Sequence, residues 1–478
     1  MLRITGYSDK YTAFPGEEIK FYVNSEKNED YQVDIVRLIH GDTNPEGPGF
    51  KEKVVRSSCN KKYKGKTQKI HGGSYACFQH DHRMNVESFT LQAFIYPTTP
   101  EKGVQGIITK WSAKNNTGFG MFIDEKGCLS CWIGGKKGKI ETVSSKKPLM
   151  RKVWYLAAVT FDSKSKRVRV YQVPVVTPTN GGLGLSLLHP SSSTTGTVTS
   201  SVRVMPEENN APLLMAASTR SVKSGRFLTG GMYKEALEPF SLPEQTQLYN
   251  GKIDRPRFAN RALEKNDIDS LARGIDGCDA ELRNSIVGAW DFHENITDKI
   301  SSCQILDTSP NKINGFTVNL PARGMTGYNW TSDDIVYHHV PQEYGAIHFH
   351  DDDIDDARWE ESFAYKLPSK LRSGVYGARL RINGVESPET EDYVPFFVRP
   401  PKGQTTAKVC LIIPTNSYMA YSNDNLATNS VVAELLSGRV PIMQASDLYL
   451  NEHREYGLST YSCHSDGSGV CFSSRLRP

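Results

Sequence analysis

The chain has 478 residues, 38% of them hydrophobic, and its 57 Lys+Arg against 53 Asp+Glu leave a net charge of +4. That length exceeds what a single core serves and predicts roughly two to four domains, and a mean hydropathy of −0.47 fits a soluble chain with much loop. The near-balance of charge excludes a global basic field for nucleic acid, and no run of roughly 18 apolar residues is there to span a membrane.

The N-terminal stretch M-L-R-I-T-G-Y-S-D-K has no apolar segment ahead of a cleavage signal, so a cytoplasmic location is expected. The 9 cysteines are scattered, which predicts free thiols in a reducing compartment rather than a disulfide frame. Cys128 and Cys131 form a lone C-x-x-C. On a strand, residues three apart point to opposite faces, so the two are not expected to chelate together.

In chain order, G-E-E-I-K-F-Y-V-N-S and Y-Q-V-D-I-V-R-L-I-H alternate as strands within residues 16–55. They are too few for a sandwich of their own. Lys51, Lys53, Arg56, Lys61, Lys62, Lys64, Lys66 and Lys69 follow, read as a solvated linker or sheet edge. Residues 85–175 carry S-F-T-L-Q-A-F-I-Y-P, G-I-I-T-K-W, G-F-G-M-F-I-D, L-S-C-W-I-G and V-W-Y-L-A-A-V-T-F-D, the last leading through a hairpin into V-R-V-Y-Q-V. Strands at such spacing with turns between them predict an antiparallel sandwich. Residues 176–210 read as loop, where Gly181, Gly182 and Gly184 lack the following helix of a phosphate cradle. Strand signals resume at A-P-L-L-M-A-A-S, then G-K-I-D-R-P-R-F leads to a short helix near Glu264–Arg273, and I-V-G-A-W-D-F closes the run.

F-T-L-Q-A-F-I-Y-P, W-Y-L-A-A-V-T-F-D and N-G-K-I-D-R-P-R-F look like a laminin-G or concanavalin A-like jelly roll over roughly residues 70–300. Such domains often bind sugars, sometimes through Ca²⁺, but no carbohydrate platform is legible. Residues 335–400 return to simple strands. Neither they nor the first segment has enough strands alone. The expected plan is therefore mainly β: a small β-sandwich split between 1–58 and 335–400, with the jelly roll inserted at 59–334.

Within 345–359, His348 and His350 precede Asp351, Asp352, Asp353, Asp355 and Asp356. As a calcium loop the run fails, because Asp356 replaces the required Gly and Ser362 the bidentate Glu. It reads as a polar turn whose aspartates cap exposed N–H groups, with a Ca²⁺ or interface role as the alternative.

Residues 401–478 read as the start of an α/β domain. Val409–Ile413 is expected as a buried strand, 426–437 as a helix ended by Gly438, and a second strand near Val440. One such unit cannot bury a core, so the chain is expected to be a fragment of a longer one. Tyr418 and Tyr421 fall just past the first strand, where ligands gather in open α/β sheets. Tyr461 is followed by His464 and Asp466. Phenolate is a hard anionic donor suited to a high-charge cation such as Fe³⁺; tyrosines in loops serve equally for packing and hydrogen bonding.

The motifs N-L-P-A-R-G-M-T-G-Y-N-W (Asn319–Trp330), G-A-I-H-F-H-D-D-D-I-D-D-A-R-W (Gly345–Trp359), S-G-V-Y-G-A-R-L with V-P-F-F-V-R-P, I-I-P-T-N-S-Y-M-A-Y-S-N and G-L-S-T-Y-S-C-H-S-D-G-S-G-V resemble the large subunit of the N,N-dimethylformamidases from end to end. The resemblance implies a glutaminase-like final domain, hydrolysis of N,N-dimethylformamide to dimethylamine and formate, and one Fe³⁺ held by two tyrosines and a glutamate. It also implies a small helical partner subunit in a hetero-oligomer. Tyr421 and Tyr461 match the tyrosine ligands, with Tyr418 the alternative to the first, and the glutamate is expected beyond Pro478. His464 and Asp466 are the candidates to protonate the departing amine or orient a ligand. The rival reading is a non-catalytic carbohydrate- or protein-binding β-sandwich protein.

Overall fold

The structure, a computed structural model, describes residues 2–478 apart from 176–194, 229–239, 297–302, 386, 388, 426–433 and 441. The glycines at 181–184 and most of the helix expected at 426–437 therefore lie outside the described residues. The chain divides into two compact units, one made of Met1–Gly72 with Ile354–Pro478, the other of Gly73–Asp353.

The first unit is built from the alternating segments. Ile4–Ser8, Glu18–Ser25 and Phe363–Lys366 form a 3-stranded sheet. Thr12–Ala13, Glu391–Val398, Gly374–Ile382, Tyr31–His40, Lys51–Val54 and Lys61–Tyr63 form a 6-stranded one. Both sheets pair early residues with late ones, Phe21 opposite Phe363 and Ile35 opposite Ala378. Their apolar faces share a core in which Phe21 stacks on Phe363 at 4.8 Å and meets Phe396 edge-on at 5.8 Å. The lysine-rich run supplies two short strands, both along the edge of Tyr31–His40 that Gly374–Ile382 does not cover, where charged side chains discourage pairing with another chain.

The second unit holds a 10-stranded and an 8-stranded sheet among its described residues. Phe89–Pro97, Gln105–Ser112, Thr117–Ile123, Cys128–Gly134, Tyr155–Asp162 and Arg167–Pro174 all form where alternation places them. Ile140–Pro148 is a further strand that sequence reading passed over, because its lysines and serines mask the period of two. Phe89, Phe119, Phe161 and Trp290 fill the core between the sheets. Cys131 belongs to that core and Cys128 does not, as opposite strand faces require. The 9 cysteines are all free thiols.

Three expectations need correction. The late half of the split sandwich starts at Ile354 rather than 335, and its early half ends at Gly72 rather than 58. The reason is that Ala346–Phe349 pairs with Gly251–Ala259 in the jelly roll. Next, the aspartate run is a capping turn only in part: residues 351–352 do turn and Asp356 accepts from Arg358 N at 2.7 Å, but Asp353 accepts from Ser74 Oγ at 2.6 Å and faces His350 Nδ1 at 3.2 Å, all three buried, and Asp355 is paired with Arg358 at 2.6 Å.

Finally, Val409–Ile413 is neither a strand nor buried. Val409, Leu411 and Ile412 are 84%, 72% and 85% exposed. A buried parallel strand needs a hydrogen-bonded neighbour on each side, and no strand pairs with this run among the described residues. Val440 is likewise exposed and outside any strand. Gly438 does end a helical turn, with φ of 64° and its N–H on Glu434 O at 2.8 Å.

Candidate functional site

The tyrosines were expected in a loop past a strand; they stand instead around a short helix, Thr415–Ala420. Tyr421 is its C-terminal cap, its N–H donating to Ser417 O at 3.0 Å. The last carbonyls of a helix lack intrahelical donors. Here Ala420 O accepts from Thr460 N at 3.0 Å, Thr460 Oγ1 at 3.0 Å and Ser459 Oγ at 3.2 Å. That junction delivers the next residue, Tyr461, against Tyr421. The two rings stack with centroids 4.3 Å apart and planes 13° from parallel.

Both phenols are half exposed, at 52% and 58%. A hydrogen bond to Tyr461, and then its charge, raise the pKa of Tyr421, since two neighbouring phenolates repel; Asp424 adds to this. Tyr418 lies one turn earlier, its ring 6.4 Å from that of Phe397. The stack therefore joins Tyr461 to Tyr421, not to Tyr418.

A polar scaffold underlies the stack. Arg477 is buried and donates to Tyr456 O and Leu458 O, both at 2.8 Å, and to Ser473 Oγ at 2.9 Å. Burial pulls its pKa down to about 10. Asn423, at φ of 63°, sends its amide to Tyr456 O and Gly457 O at 3.1 Å each. At Gly457, whose φ is 89°, an added Cβ would come within 2.3 Å of Arg477 Nη1, so only glycine lets the guanidinium this close. Sequence reading missed Arg477 and Asn423. The A-Y-S-N motif contains Asn423, yet nothing local shows that it would bond across to residues 456–457.

His464 is buried, its N–H donating to Ser468 O at 2.8 Å, and Gly467 N–H returns to His464 O at 2.9 Å. Asp466 Oδ1 accepts from Ser468 N at 2.9 Å and Ser468 Oγ at 2.5 Å. Both residues thus help form the turn that follows Tyr461, closed by a bridge between Cys463 and Gly469.

Residues 322–478 match the family model described as N,N-dimethylformamidase beta subunit-like, C-terminal, and residues 71–173 match that of the concanavalin A-like lectin/glucanases superfamily. Over 100% of its length the chain is similar to the N,N-dimethylformamidase beta subunit of Paracoccus aminophilus, 35% identical over 483 residues, and spans 60% of that relative. It is similar in the same way to the N,N-dimethylformamidase beta subunit of Alcaligenes sp, 33% identical over 484 residues, again spanning 60% of it. Among solved structures, the LG1-3 region of the laminin alpha2 chain is similar at a TM-score of 0.25 and 7% identity, covering 82% of this chain and 77% of that one, too low a score to carry an argument. The likeness to the dimethylformamidase beta subunits holds across the entire chain, and the fold is mainly β with a concanavalin A-like part.

Proposed function

We propose that this chain belongs to the large subunit of an amide hydrolase acting on N,N-dimethylformamide, with Tyr421 and Tyr461 as two ligands of one Fe³⁺. The observation that carries the reading is the Tyr421–Tyr461 stack, formed by the two tyrosines that the resemblance implies as ligands. The donor set fits in type: two hard oxygens on nearly parallel rings, hydrogen-bonded to each other, each half open to solvent. Tyr421 and Tyr461 would hold the cation through their phenol oxygens, and its charge would offset the repulsion that opposes ionisation of Tyr421. The two phenolates make only part of a coordination sphere, which in the resemblance a carboxylate completes.

Bound iron supplies Lewis acidity toward an amide carbonyl or a water molecule. Tyr421 and Tyr461 release their phenolic protons and fix the position of the centre. Arg477 and Asn423 hold the 456–458 backbone that leads to Tyr461. His464 or Asp466 gives a proton to the departing dimethylamine, which a tertiary amide cannot supply for itself. The partner is a small helical subunit in a hetero-oligomer, and the location is cytoplasmic. No helix among the described residues is long and apolar enough to cross a membrane.

The test is iron content and dimethylamine release on protein co-expressed with any adjacent small reading frame. About one iron per chain with turnover is expected, and both are lost in Tyr421→Phe and in Tyr461→Phe. Iron retained by either variant overturns that ligand assignment. The concanavalin A-like match over residues 71–173 favours one second reading, a glycan-binding role. Defined hits on a glycan array, with neither iron nor turnover, would select it.

A further inference from the structure

Three turns meet at one end of the jelly-roll unit. Residues 135–139 join Cys128–Gly134 to Ile140–Pro148, residues 163–166 join Tyr155–Asp162 to Arg167–Pro174, and residues 202–205 follow the strand Gly196–Ser201. Their backbones are tied together. Val202 N donates to Lys166 O at 2.9 Å, and Glu141 Oε2 accepts from Arg203 N at 2.5 Å and Val204 N at 3.1 Å. At Gly135 an added Cβ would stand 2.5 Å from Val204 Cγ1 and 2.7 Å from Met205 O, so the first turn lies directly against the third.

The turns carry Lys136, Lys137, Lys139, Lys164, Lys166 and Arg203, all exposed and none in an ion pair among the described residues. These cations exceed the net charge of the whole chain, +4, so its positive excess is gathered here. The lysine-rich run of the first unit differs, since Asp30 answers Lys62 and Lys64 and Glu360 answers Lys66. The nearby acids are occupied. Glu141 holds the third turn, Asp162 accepts from Lys164 N at 3.1 Å and Ser165 Oγ at 2.6 Å, and Glu207 and Glu208 line a small pocket with the buried Lys110. Lys137 and Lys166 stand at φ of 59° and 52°, left-handed positions that favour glycine, so lysine is kept there at a cost in stability. Ile140 and Met205, beside these cations in sequence, are 39% and 37% exposed.

We propose that this end of the jelly roll docks an acidic amphipathic segment of a partner protein. The lysines meet its carboxylates, and Ile140 and Met205 meet its apolar side chains. A phosphate or sulfate polymer would engage the cations alone and leave Ile140 and Met205 idle. These turns also carry no aromatic ring on which a nucleic-acid base could stack. The surface is separate from the tyrosine centre, which belongs to the other unit.

The probe is a labelled amphipathic peptide of Glu and Leu, titrated against the full chain by fluorescence anisotropy, with a Glu-only peptide, oligo-dT and heparin as comparisons. We expect saturable binding that weakens as salt rises and exceeds that of the Glu-only peptide. Lys137→Gly/Lys166→Gly should weaken it about fivefold, while the melting temperature stays near wild type because glycine suits both left-handed positions. Loss of folding cannot produce that pair of results. Met205→Ser should also weaken binding, with its salt dependence kept. Lys62→Glu/Lys64→Glu, in the run already answered by acids, should bind as wild type. No saturable binding, or equal binding in Lys137→Gly/Lys166→Gly, overturns the proposal. So does tighter binding of the Glu-only peptide, oligo-dT or heparin, which would assign this end to a plain polyanion.

Discussion

Ser74 donates its hydroxyl to Asp353 at 2.6 Å, joining the second residue of the jelly-roll unit to its last. Gly73 N reaches Asp353 O at 2.8 Å and Ser74 N reaches His350 O at 2.8 Å, so the closure is backbone as well as side chain. A domain inserted into another must bring its ends together, and a short polar clasp lowers the entropy cost of doing so.

The clasp should be sensitive to charge. Asp353→Ala leaves the Ser74 hydroxyl and His350 Nδ1 without their buried acceptor and is expected to cost about 2–4 kcal/mol. Denaturant titration of the full chain measures it. A loss below the noise would show that the backbone bonds close the unit unaided.

Tyr418→Phe serves as the control for the tyrosine centre. Tyr418 lies toward Phe397 while Tyr421 stacks on Tyr461. Iron content and dimethylamine release are therefore expected to stay near wild type in Tyr418→Phe.

Arg477 should act on the centre through the backbone. Arg477→Met removes the donor to Leu458 O and one of the donors to Tyr456 O, which keeps the Asn423 amide, so one carbonyl is left unpaired at about 1–3 kcal/mol. The expected result is weaker iron retention with both ligands still present. Arg477→Lys should rescue little, since an ammonium cannot reproduce the planar fork. Full rescue by lysine would reduce Arg477 to a simple charge.

Asp392 gives the first unit a pH dependence. It accepts from Gly6 N at 3.0 Å and Tyr393 N at 2.8 Å, but burial outweighs these bonds and raises its pKa from 3.8 to about 6. Below the unfolded value it is neutral in both states. As pH rises from about 4 to 6 the unfolded chain ionises first, so stability falls, by on the order of 3 kcal/mol for such a shift. Asp392→Asn should flatten that part of the stability profile; an unchanged slope would show that Asp392 is not its source.

Much of the fold was legible because local pattern and final environment agree. The alternation in Glu18–Ser25, Phe89–Pro97 and Tyr155–Asp162 is set by one buried face, so a period of two in sequence becomes a strand in space. The helix Lys265–Arg273 could be read for the matching reason at helical spacing, burying Ile268, Leu271 and Ala272. Val409–Ile413 looks like a buried strand on composition alone, yet apolar content specifies burial only where a partner surface exists.

The sequence alone determined the residue types on offer: two phenols with the chemistry of a hard-metal ligand, and strands enough for two sandwiches. Tertiary structure decided which of them meet. Tyr461 reaches Tyr421 rather than Tyr418 because Ala420 O gathers donors from Ser459 and Thr460. Phe21 stacks on Phe363 because Glu18–Ser25 pairs with Phe363–Lys366. Both outcomes rest on contacts between residues distant in the chain. A pairing across 40 or more positions leaves no trace in local periodicity, because its energy comes from groups that only folding makes neighbours.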